Sequence, residues 1–216
     1  MIAHHLSGQL GVNVLPIDIH DRGLGEWDRY RESTGRQLLP IEGKLVLIGY
    51  SYGGLLALDF AARYPSKVDK LILLGSAMPK AISAPVQMEM AKYLYTILTG
   101  GIFKMSPTTF RRLFANDTPK PDAAAIFDEL APDSGRAVWE VLRGIEVDIT
   151  EVKCPVLVIS GTRDRISSPA RGMSLARRLP NARFVETLSD HIGYGMRLVV
   201  INALRKFLAD LHIGIY

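Results

Sequence analysis

The chain has 216 residues, 48% hydrophobic and 22% charged, with a formal net charge of +4 at neutral pH. That length makes one domain, or one domain with a large insertion, and allows a sizeable core. The basic residues are scattered, with no stripe of interleaved aromatics, which argues against nucleic acid as a partner. One cysteine, Cys154, leaves no intramolecular disulfide and no thiolate metal cluster.

No run has the apolar length of a membrane span. His, Ser, Gly and Asn come too early in the chain for a secretory signal, so a cytoplasmic location is expected. Cys154 stands at the mouth of an apolar run and reads as core packing.

Residues 1–11 (MIAHHLSGQLG) read as the end of an amphipathic helix, with Gly8 and Gly11 near its close. His4 and His5 are adjacent, so they point to different sides of a helix and cannot form an i, i+4 metal pair. Val12 to Ile19, rich in β-branched residues, reads as a strand. The loop His20-Asp21-Arg22-Gly23-Leu24-Gly25 follows at its C-terminal end, the edge that faces the ligand crevice in open α/β sheets. His20 and Asp21 read first as loop hydrogen-bonding residues, with lining of the crevice as the alternative. Glu26 to Leu39 is a short, mostly polar helix ended by Pro40.

The segment Lys44–Tyr64, KLVLIGYSYGGLLALDFAARY, is the most informative. Leu45 to Ile48 is an unbroken apolar run, the pattern of a parallel strand buried on both faces. Leu55 to Tyr64 is Leu- and Ala-rich and suits a buried helix. Between them lies the G-x-S-x-G of Gly49-Tyr50-Ser51-Tyr52-Gly53. A strand turning straight into a helix leaves its turn residue strained. Small residues two before and two after the serine let strand and helix approach. Ser51 would then stand above the sheet at a helix N-terminus; read structurally, it is only a helix cap.

Leu71 to Leu74 is another buried strand, followed by Gly75-Ser76-Ala77-Met78-Pro79. From Lys80 to about Thr150 the chain holds no strand-like run of comparable strength. Ala84 to Leu98, Pro107 to Leu113, Asp122 to Leu130 and Gly135 to Ile145 are helix candidates, punctuated by prolines. This reads as a helical insertion, 80–150, in a core made of 1–79 and 151–216; an ordered excursion of that length is usually functional. Its methionines read as packing, with a pliable apolar substrate surface as the alternative.

Val156 to Ser160 and Arg183 to Leu188 are further strands. Gly161-Thr162-Arg163-Asp164 follows the first, and Ser189-Asp190-His191 the second. Pro169 to Leu179 is a helix, and Tyr194 to Leu211 the closing one. Strand–helix alternation of this kind makes an α/β fold, a mostly parallel sheet flanked by helices.

Serine is a poor nucleophile until a base takes its proton, and the base works best when a carboxylate holds its tautomer. In a parallel sheet, residues just past the C-terminal ends of different strands meet at one edge. Ser51, Asp164 and His191 all occupy that position. Taken singly, Asp164 is a loop carboxylate capping the next helix and His191 a turn histidine.

On GYSYGG around Ser51, GTRDRISSP around Asp164 and SDHIGYG around His191, the chain resembles the α/β-hydrolase superfamily of serine hydrolases. DRGLG (Asp21 to Gly25) resembles the loop after that family's fourth strand, and the insertion from Lys80 resembles its cap. The resemblance implies Ser51 as nucleophile, His191 as general acid–base, Asp164 as orienting carboxylate and the Tyr52 backbone N–H as an oxyanion donor. It calls for no cofactor and no metal. A serine at the elbow argues against dehalogenase and epoxide hydrolase chemistry and leaves ester, thioester or lipid acyl hydrolysis.

The resemblance also implies that the chain opens inside the helix between the family's third and fourth strands. The first three strands, and the loop giving the second oxyanion donor, are expected to be absent. Val12–Ile19 must then pair with the elbow strand or leave an open edge, and an open edge invites a homodimer. The leading expectation is an esterase- or lipase-like hydrolase acting on an apolar ester or acyl substrate. Acyl transfer or carbon–carbon cleavage by the same residues, and a non-catalytic remnant that binds a ligand or partner, remain alternatives.

Overall fold

The computed structural model describes residues 7–8, 11, 13–20, 25–82, 93–196 and 198–209. Its centre is a four-stranded parallel sheet, ordered β1-β2-β5-β6, of β1 (Leu45–Tyr50), β2 (Val68–Leu74), β5 (Val156–Gly161) and β6 (Ala182–Thr187). The apolar runs at 71–74 and 156–161 are the inner strands, and every residue of β5 is buried. Alternate side chains face opposite sides, as the pleat requires. Leu71, Leu73, Val156 and Val158 pack with α1 (Trp27–Leu38), α2 (Tyr52–Arg63) and α7 (Pro169–Arg178). Ile72, Leu74, Leu157 and Ile159 pack with α8 (Leu198–Ala209). The result is a helix–sheet–helix sandwich with two apolar cores.

Several expectations are corrected. β1 is buried only at alternate positions, and Val46 is 44% exposed, because among the described residues it has a ladder on one side alone. Residues 13–18 form no strand and do not pair with β1. At Asp18 the backbone is met by a side chain instead: Gln37 donates to the Asp18 carbonyl at 2.8 Å and accepts from the Asp18 N–H at 3.3 Å. With those groups occupied, the segment packs Val14, Ile17 and Ile19 against the cores without joining the sheet. The closing helix does not begin at Tyr194. Gly193–Met196 is a 3₁₀ turn and the α-helix starts at Leu198. Most of residues 1–11, with His4 and His5, and also Val12, Asp21 to Leu24, most of Ala84 to Leu98 and residues 210–211 lie outside the described residues.

Between β2 and β5 come α3 (Leu94–Thr99), β3 (Ile102–Phe103), α4 (Pro107–Leu113), α5 (Lys120–Asp128), β4 (Asp133–Ser134) and α6 (Gly135–Arg143), with β3 and β4 antiparallel. Ser106 and Ser134 cap α4 and α6 by accepting the N–H three residues on. Two small clusters hold this region. Ile97, Phe103 and Leu113 gather with Ile166, and Phe110, Ala115 and Ala123 with Ile192. Ile166 and Ile192 flank Asp164 and His191, so the region rests on the loops that carry those two residues.

Candidate active site

β1 ends and α2 begins on either side of Ser51, whose φ of 50° and ψ of −121° make it the one non-glycine with positive φ among the described residues. Such a conformation costs on the order of 1–3 kcal/mol and survives only where the surroundings over-determine it. They do so here: the Ser51 N–H donates to the Leu74 carbonyl at 3.1 Å, and its own carbonyl accepts from Ala77 at 2.8 Å and Gly54 at 3.0 Å.

Two glycines make the turn possible. A Cβ on Gly49 would lie 2.5 Å from the Gly54 Cα, and one on Gly54 would lie 2.5 Å from the Ser76 Oγ. Gly53, expected to matter for this approach, meets nothing within 4 Å. The tight glycine is one residue further along, because it is Gly54 whose first-turn position faces the end of β2.

The sheet brings the three strand-end residues together. His191 Nε2 is 2.8 Å from Ser51 Oγ, and His191 Nδ1 is 2.8 Å from Asp164 Oδ2. Asp164 and His191 are buried, at 5% and 1% exposure. Asp164 Oδ1 accepts the N–H groups of Ile166 at 2.8 Å and Ser167 at 2.7 Å. A carboxylate so supplied accepts only, so Nδ1 carries the imidazole proton and Nε2 turns its lone pair to the serine hydroxyl. Tyr52, as the first residue of α2, has no intrahelical acceptor for its N–H, which stands beside Ser51.

Four further residues shape the site and went unrecognised in the sequence. Tyr194 donates its hydroxyl to Asp164 Oδ2 at 2.8 Å and accepts the Gly161 N–H at 2.6 Å. Tyr50 donates to the His191 carbonyl at 2.9 Å, and burial with nearby Asp164 and Asp190 raises its phenol well above the usual range. Phe114, from the region between β2 and β5, sets its ring edge-on to His191 with centroids 5.2 Å apart. Asp190, fully buried, accepts the Asp117 and Thr118 N–H groups at 2.7 and 2.6 Å and so ties that region to the histidine loop. The sequence carried a hint of Tyr194 alone: Gly193 and Gly195 around it argue against a helix.

His20 lies away from this chain of hydrogen bonds, 3.5 Å from Asp133 and tilted against Tyr30 with centroids 4.9 Å apart. Among the described residues no three His, Cys, Asp or Glu side chains gather to hold a metal ion. None of the described helices is long and apolar enough to cross a membrane.

A family model described as serine aminopeptidase, S33, matches residues 33–191. The chain is 32% identical over 157 residues to a pimeloyl-[acyl-carrier protein] methyl ester esterase of Neisseria meningitidis serogroup A, covering 64% of this chain and 48% of that one. It is 30% identical over 171 residues to the enzyme of that name from Aromatoleum aromaticum, covering 70% and 68%. The chain thus spans about half to two thirds of these curated relatives' length. Among solved structures, an extracellular α/β-hydrolase from a Paenibacillus species superposes with a TM-score of 0.75 at 15% identity, over 96% of this chain and 93% of that one. A methylesterase from Arabidopsis gives 0.72 at 18% identity, over 97% and 94%. With a mostly parallel sheet between helices and a family model matched across most of its length, the chain belongs to the serine aminopeptidase S33 family of α/β-hydrolases.

Proposed function

We propose that this protein is a serine hydrolase that cleaves a carboxylic ester, or thioester, through an acyl-enzyme on Ser51. The observation that carries the reading is the unbroken chain Asp164–His191–Ser51, with both links at 2.8 Å. His191 Nε2 takes the Ser51 proton as Oγ attacks the carbonyl carbon, and Asp164 holds the ring and balances the imidazolium that forms. The Tyr52 N–H faces the developing oxyanion, at the positive end of α2. His191 then protonates the departing alcohol. In the second half it takes a proton from water, hydroxide character attacks the acyl carbon, and Ser51 leaves with its proton restored.

The described residues of the 80–150 insertion act as a cap over this rim, with Phe114 forming an apolar wall beside His191. That wall suits an apolar ester. The methyl ester esterases among the relatives support a small alcohol as the leaving group.

The test uses a fluorophosphonate label and p-nitrophenyl esters of increasing chain length. Ser51 labels, Ser51→Ala does not, and turnover falls by on the order of 10⁴–10⁶ in the variant. A folded protein that neither labels nor turns over any ester overturns the proposal in favour of a binding protein. Competing alcohols or amines that divert the acyl group would make it a transferase.

A further inference from the structure

We infer that Tyr194 is a positioning residue that acts through Asp164 to set the basicity of His191, and with it the acid limit of the reaction. The inference rests on the hydrolase reading above.

The direction of the phenol's hydrogen bonds is forced. Its oxygen accepts the Gly161 N–H at the end of β5, at 2.6 Å, so its own proton must point elsewhere. The partner on that side is Asp164 Oδ2 at 2.8 Å, which can only accept. Nor does the phenol lose this proton at working pH. It is 1% exposed, and burial first, then the charge of Asp164, raises its ionisation far above the usual phenol range.

Tyr194 is therefore a permanent neutral donor to the same oxygen that binds His191 Nδ1 at 2.8 Å. Together with the two N–H groups on Oδ1, four donors surround the carboxylate, and the charge of Arg171 on α7 also acts on it, equally in every variant compared below. Each donor spreads the negative charge that attracts the imidazolium. Tyr194 differs from the two backbone donors in sharing the oxygen that faces the ring.

The ring is clamped as well. It lies over Gly75, where a Cβ would come within 2.6 Å of Tyr194 Cε2 and where φ is +47°. Tyr50, which donates to the His191 carbonyl, meets it edge-on at 6.3 Å between centroids. Asp164 and the backbone of His191 are thus supported by two tyrosines in contact.

Losing the phenol proton should concentrate charge on Oδ2, make His191 more basic and move the acid limb of the reaction to higher pH. A more acidic phenol in the same place should move it the other way. The experiment measures kcat/KM against pH with p-nitrophenyl butyrate for wild type, Tyr194→Phe, and protein carrying 3,5-difluorotyrosine at position 194. The Phe variant should shift the acid limb up by about half to one pH unit, with kcat lowered more than KM is changed. The difluoro protein should shift it down.

A Phe variant slower at every pH but with an unmoved limb would show a merely structural tyrosine and overturn the inference. Should that variant fail to fold, the difluoro protein decides alone, and an unmoved or upward limb refutes the role. Ser51→Ala retaining full turnover would instead defeat the hydrolase reading, so the two failures are distinguishable.

Discussion

The adjacent glycines after the Ser51 turn should respond oppositely to the same substitution. Gly54→Ala places a methyl 2.5 Å from the Ser76 Oγ, 2.7 Å from its Cβ and 3.0 Å from its Cα. The hydroxyl could swing aside, but Cβ and Cα are fixed by the backbone. Ser76 is held in turn: its carbonyl accepts the Ser167 hydroxyl at 2.7 Å, and Ala77 donates to Ser51 at 2.8 Å. Relief therefore means moving the end of β2 away from α2. Overpacking of this kind costs about 1–3 kcal/mol, and the better helix propensity of alanine returns up to about 1 kcal/mol. The net loss spans about 0–2 kcal/mol and centres on about 1 kcal/mol, a fall in Tm of about 2–4 °C at this chain length.

Gly53→Ala meets nothing within 4 Å, so only the propensity gain remains. Its Tm should rise by about 2–4 °C. Thermal unfolding followed by circular dichroism measures both. A Gly54→Ala protein melting at or above wild type would refute the argument that this glycine is required by close approach.

Ser51→Gly should melt about 2–5 °C above Ser51→Ala, because glycine adopts the observed backbone without strain; equal melting temperatures would place the strain elsewhere. Asp190→Ala leaves the N–H groups of Asp117, Thr118 and Gly193 without their carboxylate, and should cost about 2–4 kcal/mol in urea titrations and lower kcat. A loss below about 0.5 kcal/mol would show that the histidine loop does not depend on this tie. Burial pushes the Cys154 thiol up to about 11 from its ordinary value of 9.0. At pH 8.5 iodoacetamide should therefore react slowly with folded protein and fast in urea. The sign for stability follows: between these two values the unfolded chain gives up the proton first, so this group lowers stability as pH rises through that window. Equal alkylation rates with and without urea would contradict the burial.

Ser51, Asp164 and His191 each sit within a few residues of an apolar run, so a reader who places the strands places all three on one rim. Their contacts follow from the geometry of a parallel sheet, which turns sequence position into spatial position. Asp190 and Phe114 had no such marker. Asp190 matters because it meets residues 117 and 118 in space, and Phe114 because it meets a histidine far along the chain. The strand expected at Val12–Ile19 misled for the opposite reason: β propensity is satisfied by any extended segment, and residues 13–18 leave the open side of β1 unpaired and pack Val14 and Ile17 against the cores instead.

What the amino-acid order determined by itself is therefore local: the two inner strands, the glycine-flanked serine, the capped helices of the region between β2 and β5, and the α/β alternation. Folding alone decided which glycine is tight, which phenol shares an oxygen with the imidazole, and which loop the region between β2 and β5 rests on. Periodicity and turn chemistry act between near neighbours and can be read along the chain. Steric fit and hydrogen-bond partnership act between residues that only the packed sheet brings together.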